Sequence, residues 1–310
     1  MWIANNWTDY EILDTSKGEK LERWGSYQLV RPDPQVIWDT PRTLSGWKKP
    51  NGHYHRSKKG GGEWEFRNLP EQWTIRYPLC GSTPLTFNLK PFSFKHTGLF
   101  PEQAANWDWF GGLIKNAGHP VKVLNLFAYT GGATLAAAAS GAAVTHVDAS
   151  KGMVGWAREN ARSSGLAEAP IRWIVDDCMK FVEREIRRGN HYDGIIMDPP
   201  SYGRGPKGEI WKIEDAIHPL IHLCAQLLNE KPLFFLVNSY TTGLAPAVLT
   251  YMISLELKSF GGTVDSQEIG LPVTSTGLVP VSYTHLDVYK RQFLPSLAIP
   301  VAEANCSRQP

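Results

Sequence analysis

The sequence predicts an α/β protein built on a doubly wound, mostly parallel sheet, and the ends of three apolar runs lead to this prediction. The run Val121–Phe127 stops before the glycine pair Gly131–Gly132, and an alanine-rich helical stretch follows at once. The next run ends at Asp148, and a third, Tyr192–Met197, leads into an Asp-Pro-Pro-Ser-Tyr sequence that begins at Asp198. Ligands of open α/β sheets bind at the carboxyl ends of strands, so these residues mark the predicted site.

Strands and helices alternate through the second half of the chain, which is typical of parallel strands joined by crossover helices. Short apolar runs predict strands at Val121–Phe127, Ala143–Val147, Ile171–Val175, Tyr192–Met197 and Leu233–Val237. Helical patterns predict helices at Ala133–Ser140, Lys151–Ser164, Met179–Arg188, Ile213–Leu228 and Ala245–Leu257. Two further runs, Thr263–Ile269 and Thr276–Val281, predict a hairpin that closes the sheet.

Three regions differ in composition, and we expect them to be three structural units. Residues 1–95 contain short alternating runs between prolines and glycines, such as Tyr27–Arg31 and Trp73–Tyr77, which predict a small β-rich N-terminal domain. Residues 96–280 carry the α/β pattern. Residues 281–310 break that pattern and resemble appended sequence, so we expect a disordered tail that is not part of the fold.

Composition places the chain among ordinary globular proteins and sets limits on its partners. The 310 residues are 42% hydrophobic and 20% charged, with a net charge of +2. We expect a cytoplasmic protein without a membrane segment, because the sequence has no secretory leader and no long apolar run. Its four cysteines lack metal-ligand spacing, so we expect no metal site. Contacts with nucleic acid would have to come from local basic segments. The candidates are Lys48–Gly62, Arg204, Lys207 and Lys212, and all of them are at least as typical of solvated loops.

The glycine pair and the acidic strand ends are typical of a nucleotide-like ligand. Glycine permits a left-handed backbone and a close approach of the main chain to a ligand. A carboxylate at the position of Asp148 can accept the hydroxyls of a ribose, and one of the pair Asp176–Asp177 can accept the amine hydrogens of an adenine. Taken singly, each acid is more often a helix N-cap, and a glycine pair more often a tight turn. The succession of all four strand ends favours the ligand site.

The segment Asp198–Tyr202 indicates what meets that ligand. Two consecutive prolines stiffen the backbone, so the Asp198 carboxylate and a main-chain carbonyl of the step can point to one spot. Two acceptors together bind an N–H₂ group, and Tyr202 could stack on a flat heterocycle. This arrangement suits methylation of an amine on a base taken out of its stack. A strand-terminating turn without chemistry is the alternative.

These motifs resemble those of class I S-adenosylmethionine-dependent methyltransferases, across roughly residues 85–280. The segment His96–Asn106 and the Ser-Tyr-Gly-Arg-Gly after Asp-Pro-Pro are similar to the bacterial large-subunit ribosomal RNA methyltransferases. The resemblance implies a Rossmann-like, seven-stranded-type sheet, S-adenosylmethionine as cofactor and ribosomal RNA as partner. It also implies catalytic roles for the step, at Asp198, Pro199, Pro200 and Tyr202.

The resemblance also implies where the cofactor binds. Phe127, Tyr129 and the glycine pair Gly131 and Gly132 would surround its methionine part, Asp148 its ribose and Asp177 its adenine. Thr97, Gly98 and Gln103, which precede the first core strand, would close over the cofactor. The candidate cofactor-binding residues are Thr97, Gly98, Gln103, Asn125, Phe127, Tyr129, Thr130, Gly131, Gly132, Asp148, Ser150, Asp176, Asp177 and Asp198.

One departure from the family pattern bears on the chemistry. Cytosine-C5 methyltransferases of ribosomal RNA carry a nucleophilic cysteine at the strand end that corresponds to Asn238–Tyr240, and this chain has none there. A nitrogen acceptor needs no such nucleophile, so we expect N-methylation. Three alternatives stay open: a nicotinamide-dependent oxidoreductase, although the G-x-G-x-x-G fingerprint is incomplete; a non-catalytic RNA-binding protein on this fold; and a methyltransferase with a protein or small-molecule acceptor.

Overall fold

The computed structural model describes residues 1–57, 61–92, 94–204, 210–241, 243–282 and 284–290. The first strands are β1 (Trp2–Ile3), β2 (Tyr10–Ser16), β3 (Glu19–Trp24), β4 (Tyr27–Pro32), β5 (Gly52–Arg56), β6 (Gly62–Phe66), β7 (Trp73–Tyr77) and β8 (Leu85–Leu89). The α-helices are α1 (Ala104–Lys115), α2 (Gly132–Ala139), α3 (Lys151–Ser163), α4 (Cys178–Arg187), α5 (Ile213–Ala225) and α6 (Pro246–Glu256). The later strands are β9 (Lys122–Leu126), β10 (Ala143–Asp148), β11 (Ile171–Val175), β12 (Gly194–Met197), β13 (Tyr202–Arg204), β14 (Ile210–Lys212), β15 (Phe234–Ser239), β16 (Thr263–Gly270), β17 (Val281–Ser282) and β18 (Thr284–Lys290).

Nine of the described strands form one sheet, in the order β1-β16-β18-β15-β12-β9-β10-β11, with β17 beside β16. Strands β15, β12, β9, β10 and β11 are parallel to one another, and β18 is antiparallel to both of its neighbours. The predicted doubly wound, mostly parallel sheet is therefore confirmed. Among the described residues, no helix is long and apolar enough to cross a membrane.

The register of the parallel strands brings their ends to one edge. Leu126 of β9 pairs with Val147 of β10 and with Met197 of β12. Asp148, the last residue of β10, pairs with Val175 of β11. The loops that follow the four strands therefore begin side by side, which is how an open α/β sheet forms a ligand crevice.

Both faces of the sheet are covered, which explains why its central strands are apolar throughout. Successive residues of β15 alternate between the two sides: Phe234 packs in the core with α1 and α2, and Phe235 packs in the core with α4, α5 and α6. All four residues of β12 are buried. All five predicted helices are present, and their ends differ from the predicted ends by at most three residues.

Helix α1 was not predicted, although its sequence carries a helical pattern. Its buried residues Ala104, Trp107, Phe110 and Ile114 recur at the spacing of one helix face. The pair Gly111–Gly112 lies inside this pattern and obscures it, because glycine is a poor helix former. Burial of the apolar face against the sheet outweighs that preference.

The N-terminal region is rich in strands, as predicted, and packs onto the α/β part. Strands β2 to β6 form a five-stranded sheet, and β7 and β8 form a hairpin. Trp107 of α1 lies between the two parts. The centroid of its ring lies 6.1 Å from that of Trp7 and 5.4 Å from that of Tyr77. Strand β1 departs from the predicted boundary, because it pairs with β16 of the main sheet.

The end of the described chain corrects one expectation. We expected residues 281–310 to be disordered, yet β17 and β18 are strands, and β18 lies between β15 and β16 in the main sheet. Its sequence alternates polar and apolar residues from His285 to Val288, and two neighbouring strands offer unpaired backbone groups on either side. Of the predicted strand Thr276–Val281, Val281 alone lies in a strand, as the first residue of β17. Residues 291–310 lie outside the described part of the chain.

Candidate active site

A cavity of about 760 Å³ opens at the carboxyl edge of the parallel strands. Eight of the predicted site residues line it: Phe127, Tyr129, Asp148, Ser150, Asp177, Asp198, Pro199 and Pro200. Nine others lie near this edge without lining the cavity: Thr97, Gly98, Gln103, Asn125, Thr130, Gly131, Gly132, Asp176 and Tyr202. The structure therefore divides the predicted site residues into those that line this cavity and those that do not.

Asp148 is held in a fixed orientation by the backbone of two loops. Its Oδ2 accepts a hydrogen bond from the N–H of Tyr129 at 2.8 Å, and its Oδ1 accepts one from the N–H of Ser150 at 2.8 Å. Burial raises the pKa of Asp148, and the two backbone hydrogen bonds act in the opposite direction. Each carboxylate oxygen retains a second lone pair, so the group can accept further hydrogen bonds from hydroxyls.

The loop after β9 has a strained backbone. Phe127 and Tyr129 adopt φ values of +54° and +49°, a left-handed conformation that bulky residues rarely occupy. Such conformations cost about 1–3 kcal/mol each and concentrate at ligand sites. Both side chains line the cavity. The strain is therefore coupled to the placement of two aromatic rings where a ligand would lie.

The glycines of this loop are required by the packing of the protein itself. Gly131 has φ +88°, and a Cβ built on it would lie 2.9 Å from the Ala157 Cβ of α3. A Cβ on Gly132 would lie 2.7 Å from Cζ2 of Trp107. These contacts are with neighbouring helices rather than with the cavity, so close helix packing accounts for both glycines.

The two acids after β11 have different surroundings. Asp176 forms an ion pair with Arg184 and does not line the cavity. Asp177 caps α4, accepting a hydrogen bond from the Lys180 N–H at 3.0 Å, and also lines the cavity. The N-cap interpretation and the ligand interpretation of Asp177 are thus compatible, because the cap uses one oxygen.

The segment before α1 is bound to the rest of the site through polar contacts. The Gly98 carbonyl accepts a 2.6 Å hydrogen bond from the Thr130 hydroxyl. The Gln103 amide donates to the Tyr240 hydroxyl at 2.8 Å, and its Oε1 accepts from Nδ2 of Asn238 at 3.1 Å. Gln103 therefore connects this segment to the end of β15, a role that the sequence did not predict.

Two other candidates are buried beneath the cavity. Asn125 donates to the Thr134 hydroxyl at 2.9 Å and fixes the start of α2 against β9. The Thr97 hydroxyl is fully buried and has no hydrogen-bond partner among the described residues. Since Thr97 does not line the cavity, this hydroxyl gives no direct sign of a ligand contact.

The proline step presents a carboxylate to the cavity. Asp198 and Pro199 line it at the end of β12, with Glu102 close by. Burial, with a smaller contribution from the Glu102 carboxylate, raises the pKa of Asp198 to about 7. The Tyr240 hydroxyl donates a hydrogen bond to Glu102 at 3.1 Å. Asp198 and Glu102 thus both face the cavity at the proline step, and the sequence analysis identified Asp198 but not Glu102.

The aromatic ring at the step is Trp211 rather than Tyr202. Trp211 lines the cavity, its indole N–H donates to the Pro200 carbonyl at 2.6 Å, and its ring centroid lies 5.0 Å from that of Phe127. Tyr202 is 51% exposed on the hairpin formed by β13 and β14. The hairpin returns Trp211 to the step, and this return could not be read from the sequence. Arg204 and Lys212 lie on the same hairpin, and Lys207 lies outside the described residues.

The N-terminal region supplies part of the cavity wall. Lys20, Arg31 and Asp33 line it, together with Lys95 and His96 from the segment before α1. Burial, followed by the charges of Arg31, Lys95 and Lys20, lowers the pKa of His96 to about 4, so this imidazole is neutral near pH 7. Sequence reasoning missed this wall because nothing in the sequence indicates which face of a small β-rich domain meets the sheet.

A thiol at the cavity is not poised for nucleophilic attack. Cys178 lines the cavity, but its sulfur accepts a hydrogen bond from the Phe127 N–H, and burial raises the pKa of Cys178 well above its usual range. A buried thiol with a raised pKa supplies little thiolate at neutral pH.

The family is decided by comparison with known proteins. A family model of S-adenosylmethionine-dependent methyltransferases matches residues 52–243. The chain belongs to this family. The fixed Asp148 carboxylate lines the cavity and keeps lone pairs for hydroxyls, so it fits the ribose of S-adenosylmethionine, which is the cofactor of the family.

Two curated methyltransferase relatives share part of the sequence. The large-subunit ribosomal RNA methyltransferase K/L of Cellvibrio japonicus is 31% identical over 186 residues, which are 59% of this chain and 24% of the relative. The same-named protein of Methylococcus capsulatus is 37% identical over 112 residues, or 36% of this chain and 15% of the relative. The chain thus spans a quarter or less of the length of these relatives.

Solved structures of methyltransferases share the fold. The S-adenosylmethionine-dependent methyltransferase from Agrobacterium tumefaciens superposes with a TM-score of 0.86 at 36% identity, covering 94% of this chain and 93% of that one. A putative S-adenosylmethionine-dependent methyltransferase from Streptococcus mutans gives a TM-score of 0.68 at 21% identity, over 92% of this chain and 75% of that one. The second likeness concerns the fold alone.

Two glycine variants test whether the loop after β9 depends on its backbone conformation. Gly131→Ala should lower the free energy of unfolding by at least about 1–2 kcal/mol, because alanine is strained at φ +88° and contacts Ala157. Gly155→Ala is the matched control, since this position on α3 faces open space and alanine should raise stability by about 0.5–1 kcal/mol. Urea unfolding measures both. Equal effects of the two substitutions would contradict the account of the loop.

Proposed function

We propose that this methyltransferase transfers a methyl group from S-adenosylmethionine to a nitrogen of an RNA base, in large-subunit ribosomal RNA. The observation that carries this proposal is the carboxylate of Asp198 at the proline step, facing the same cavity as the fixed carboxylate of Asp148. One carboxylate suits a ribose and the other suits an amine. Their shared cavity supports a reaction between a cofactor and an acceptor held side by side.

The acceptor side of the reaction rests on the proline step. Asp198 and the Pro199 carbonyl accept the hydrogens of the acceptor amine, which turns the nitrogen lone pair toward the methyl group. The bound cofactor supplies an electrophilic methyl group, and the protein contributes alignment and exclusion of water. We assign the stacking role to Trp211, because its ring lines the cavity while Tyr202 lies outside it. Pro200 fixes that ring through its carbonyl.

The cofactor side rests on the strand ends. Asp148 accepts the ribose hydroxyls with its free lone pairs, and Asp177 accepts the hydrogens of the adenine amine with the oxygen that does not cap α4. Phe127 and Tyr129 enclose the methionine part. The remaining candidates act indirectly: they fix the loops by packing, capping or hydrogen bonds.

Nitrogen is favoured over carbon as the acceptor atom. Carbon C5 of cytosine is a weak nucleophile that requires a thiolate at C6. Cys178 is buried and accepts a hydrogen bond, and the strand end Asn238–Tyr240 contains no cysteine. An amine needs orientation and the loss of one proton, and a carboxylate at the step supplies both.

The RNA assignment is supported by the names of the relatives from Cellvibrio japonicus and Methylococcus capsulatus, which are ribosomal RNA methyltransferases. Their similarity covers 59% and 36% of this chain. The basic residues Lys20, Arg31 and Lys95 on the cavity wall are consistent with a polyanionic acceptor. Methylation of ribosomal RNA would place the protein in the cytoplasm, where we expect it.

The direct test is incubation with tritiated cofactor and unmodified ribosomal RNA, followed by nucleoside analysis of the labelled product. We expect label on a nitrogen-methylated nucleoside. Asp198→Ala should lower turnover by at least about 100-fold while the affinity for S-adenosylhomocysteine changes less than about twofold, because the acceptor loses its anchor. Asp39→Ala, an exposed acid paired with Lys17, is the control and should behave as the wild type.

Cofactor binding without transfer to any RNA would contradict the RNA assignment. Loss of cofactor affinity in Asp198→Ala would show that this carboxylate belongs to the cofactor side of the cavity.

The raised pKa of Asp198 predicts a pH dependence. The carboxylate form accepts the amine hydrogens, so turnover should be constant above about pH 8 and fall below pH 7, about tenfold per pH unit, as Asp198 is protonated. Glu102→Gln removes the neighbouring negative charge, which should lower the pKa of Asp198 and move the midpoint of the profile to lower pH. The measurement is turnover at saturating cofactor from pH 5 to pH 9. A midpoint that does not move in Glu102→Gln would contradict the pairing of these carboxylates.

A further inference from the structure

One wall of the cavity is built by cations from the N-terminal region. We call Lys20, Arg31 and Lys95 the cationic wall. Lys20 lies on β3, Arg31 on β4, and Lys95 on the segment that leads to α1. None of the three belongs to the strand ends that hold the proposed cofactor or to the proline step, which leaves the wall for another part of the acceptor.

Arg31 is rigidly fixed. Its Nε and Nη2 donate to the two carboxylate oxygens of Glu22 at 2.6 and 2.8 Å, and Glu22 is fully buried. Its Nη1 donates to the Lys95 carbonyl at 2.9 Å, and the Lys95 Nζ donates to the Pro32 carbonyl at 3.0 Å. The Tyr10 hydroxyl donates to Glu22 at 2.7 Å and completes the network. A bidentate pair of this kind fixes direction as well as charge.

The wall keeps donors available despite these contacts. A guanidinium has five N–H donors and an ammonium has three. The hydrogen bonds of Arg31 to Glu22 and to the Lys95 carbonyl use three of its five donors, and the hydrogen bond of Lys95 to the Pro32 carbonyl uses one of its three. The Lys20 ammonium forms two ion pairs, with its Nζ 3.4 Å from Oε1 of Glu22 and 3.9 Å from Oδ2 of Asp33. Donors from all three residues therefore remain for a ligand in the cavity.

The three cations of the wall lie close together. Their ion pairs are with Glu22 and Asp33, the Glu102 carboxylate also lines the cavity, and His96 adds no charge near pH 7. Burial, followed by the charges of Lys20 and Arg31, lowers the pKa of Lys95 to about 8. The fold thus holds like charges together inside a cavity, and a bound anion would relieve their repulsion.

We propose that the cationic wall of Lys20, Arg31 and Lys95 binds a backbone phosphate of the acceptor RNA and so sets the depth to which the target nucleotide enters the cavity. This inference rests on the proposed function and names the residues that select the acceptor. A phosphate suits the wall because it accepts several hydrogen bonds and brings no positive charge of its own.

The carboxylate of the cofactor is a poorer match for the wall. S-adenosylmethionine carries an ammonium group on the carbon next to its carboxylate, and a sulfonium as well, so the molecule as a whole is a cation. Three clustered cations would repel it. The wall would therefore favour the acceptor over the cofactor.

Titration calorimetry with inorganic pyrophosphate, on the full chain loaded with S-adenosylhomocysteine, tests the site without methyl transfer. Lys20→Gln and Lys95→Gln should each weaken pyrophosphate binding about tenfold or more, because each removes a charge-assisted hydrogen bond. Lys17→Gln is the matched control, since Lys17 lies in the same domain, is exposed and pairs with Asp39. Arg31 is left intact because the fully buried Glu22 would otherwise lose its bidentate ion pair.

Methylation kinetics with transcribed large-subunit ribosomal RNA identify the source of the anion. In the two wall variants the KM for RNA should rise about tenfold or more, and the slope of its logarithm against the logarithm of salt concentration should fall by about 0.7. The Kd for S-adenosylhomocysteine should stay within about twofold of the wild type. The control should match the wild type in all three measurements.

Three results would overturn the inference: no pyrophosphate binding by the wild type, equal affinities in all four proteins, or a loss of S-adenosylhomocysteine affinity in the wall variants. Failure of the proposed function is a separate result, because wild-type protein that binds pyrophosphate but methylates no RNA would leave a phosphate site without an RNA substrate. That outcome would overturn the assignment of the phosphate to RNA.

Discussion

The register of the parallel strands is the constraint on which the site depends. Because Leu126 is level with both Val147 and Met197, the loops after β9, β10 and β12 begin at the same edge of the sheet. A shift of one residue in either pairing would turn Asp148 or Asp198 to the opposite face. The buried apolar residues on both faces of the sheet oppose such a shift, so the hydrophobic core fixes the geometry of the polar site.

A second constraint joins the N-terminal region to this edge. Trp107 of α1 packs against the small β-rich part, and the buried pair of Arg31 and Glu22 fixes the N-terminal wall at the cavity. The cavity is therefore shared between the two halves of the chain. Strand ends supply carboxylates on one side, and the N-terminal wall supplies cations on the other. This division of charge suits a cationic cofactor and an anionic acceptor that must meet.

The parts of this arrangement that depend on short stretches of sequence were predictable. The edge of the sheet, Asp148, Asp177 and the proline step follow from apolar runs that end in acids, glycines or prolines. The parts that depend on distant contacts were not. A hairpin brings Trp211 to the proline step, and the packing of the N-terminal region brings the cationic wall to the cavity. Strand β18 fills a gap in the sheet that its own sequence does not reveal. Helix α1 was missed because Gly111 and Gly112 mask its apolar face.

The most direct test of the account is a crystal structure of the chain with S-adenosylhomocysteine bound. The account predicts the ribose hydroxyls at the Asp148 carboxylate, the adenine amine near Asp177, and the sulfur facing the Asp198 step across the cavity. Electron density for the ligand outside this cavity, or with its ribose at the cationic wall, would contradict it.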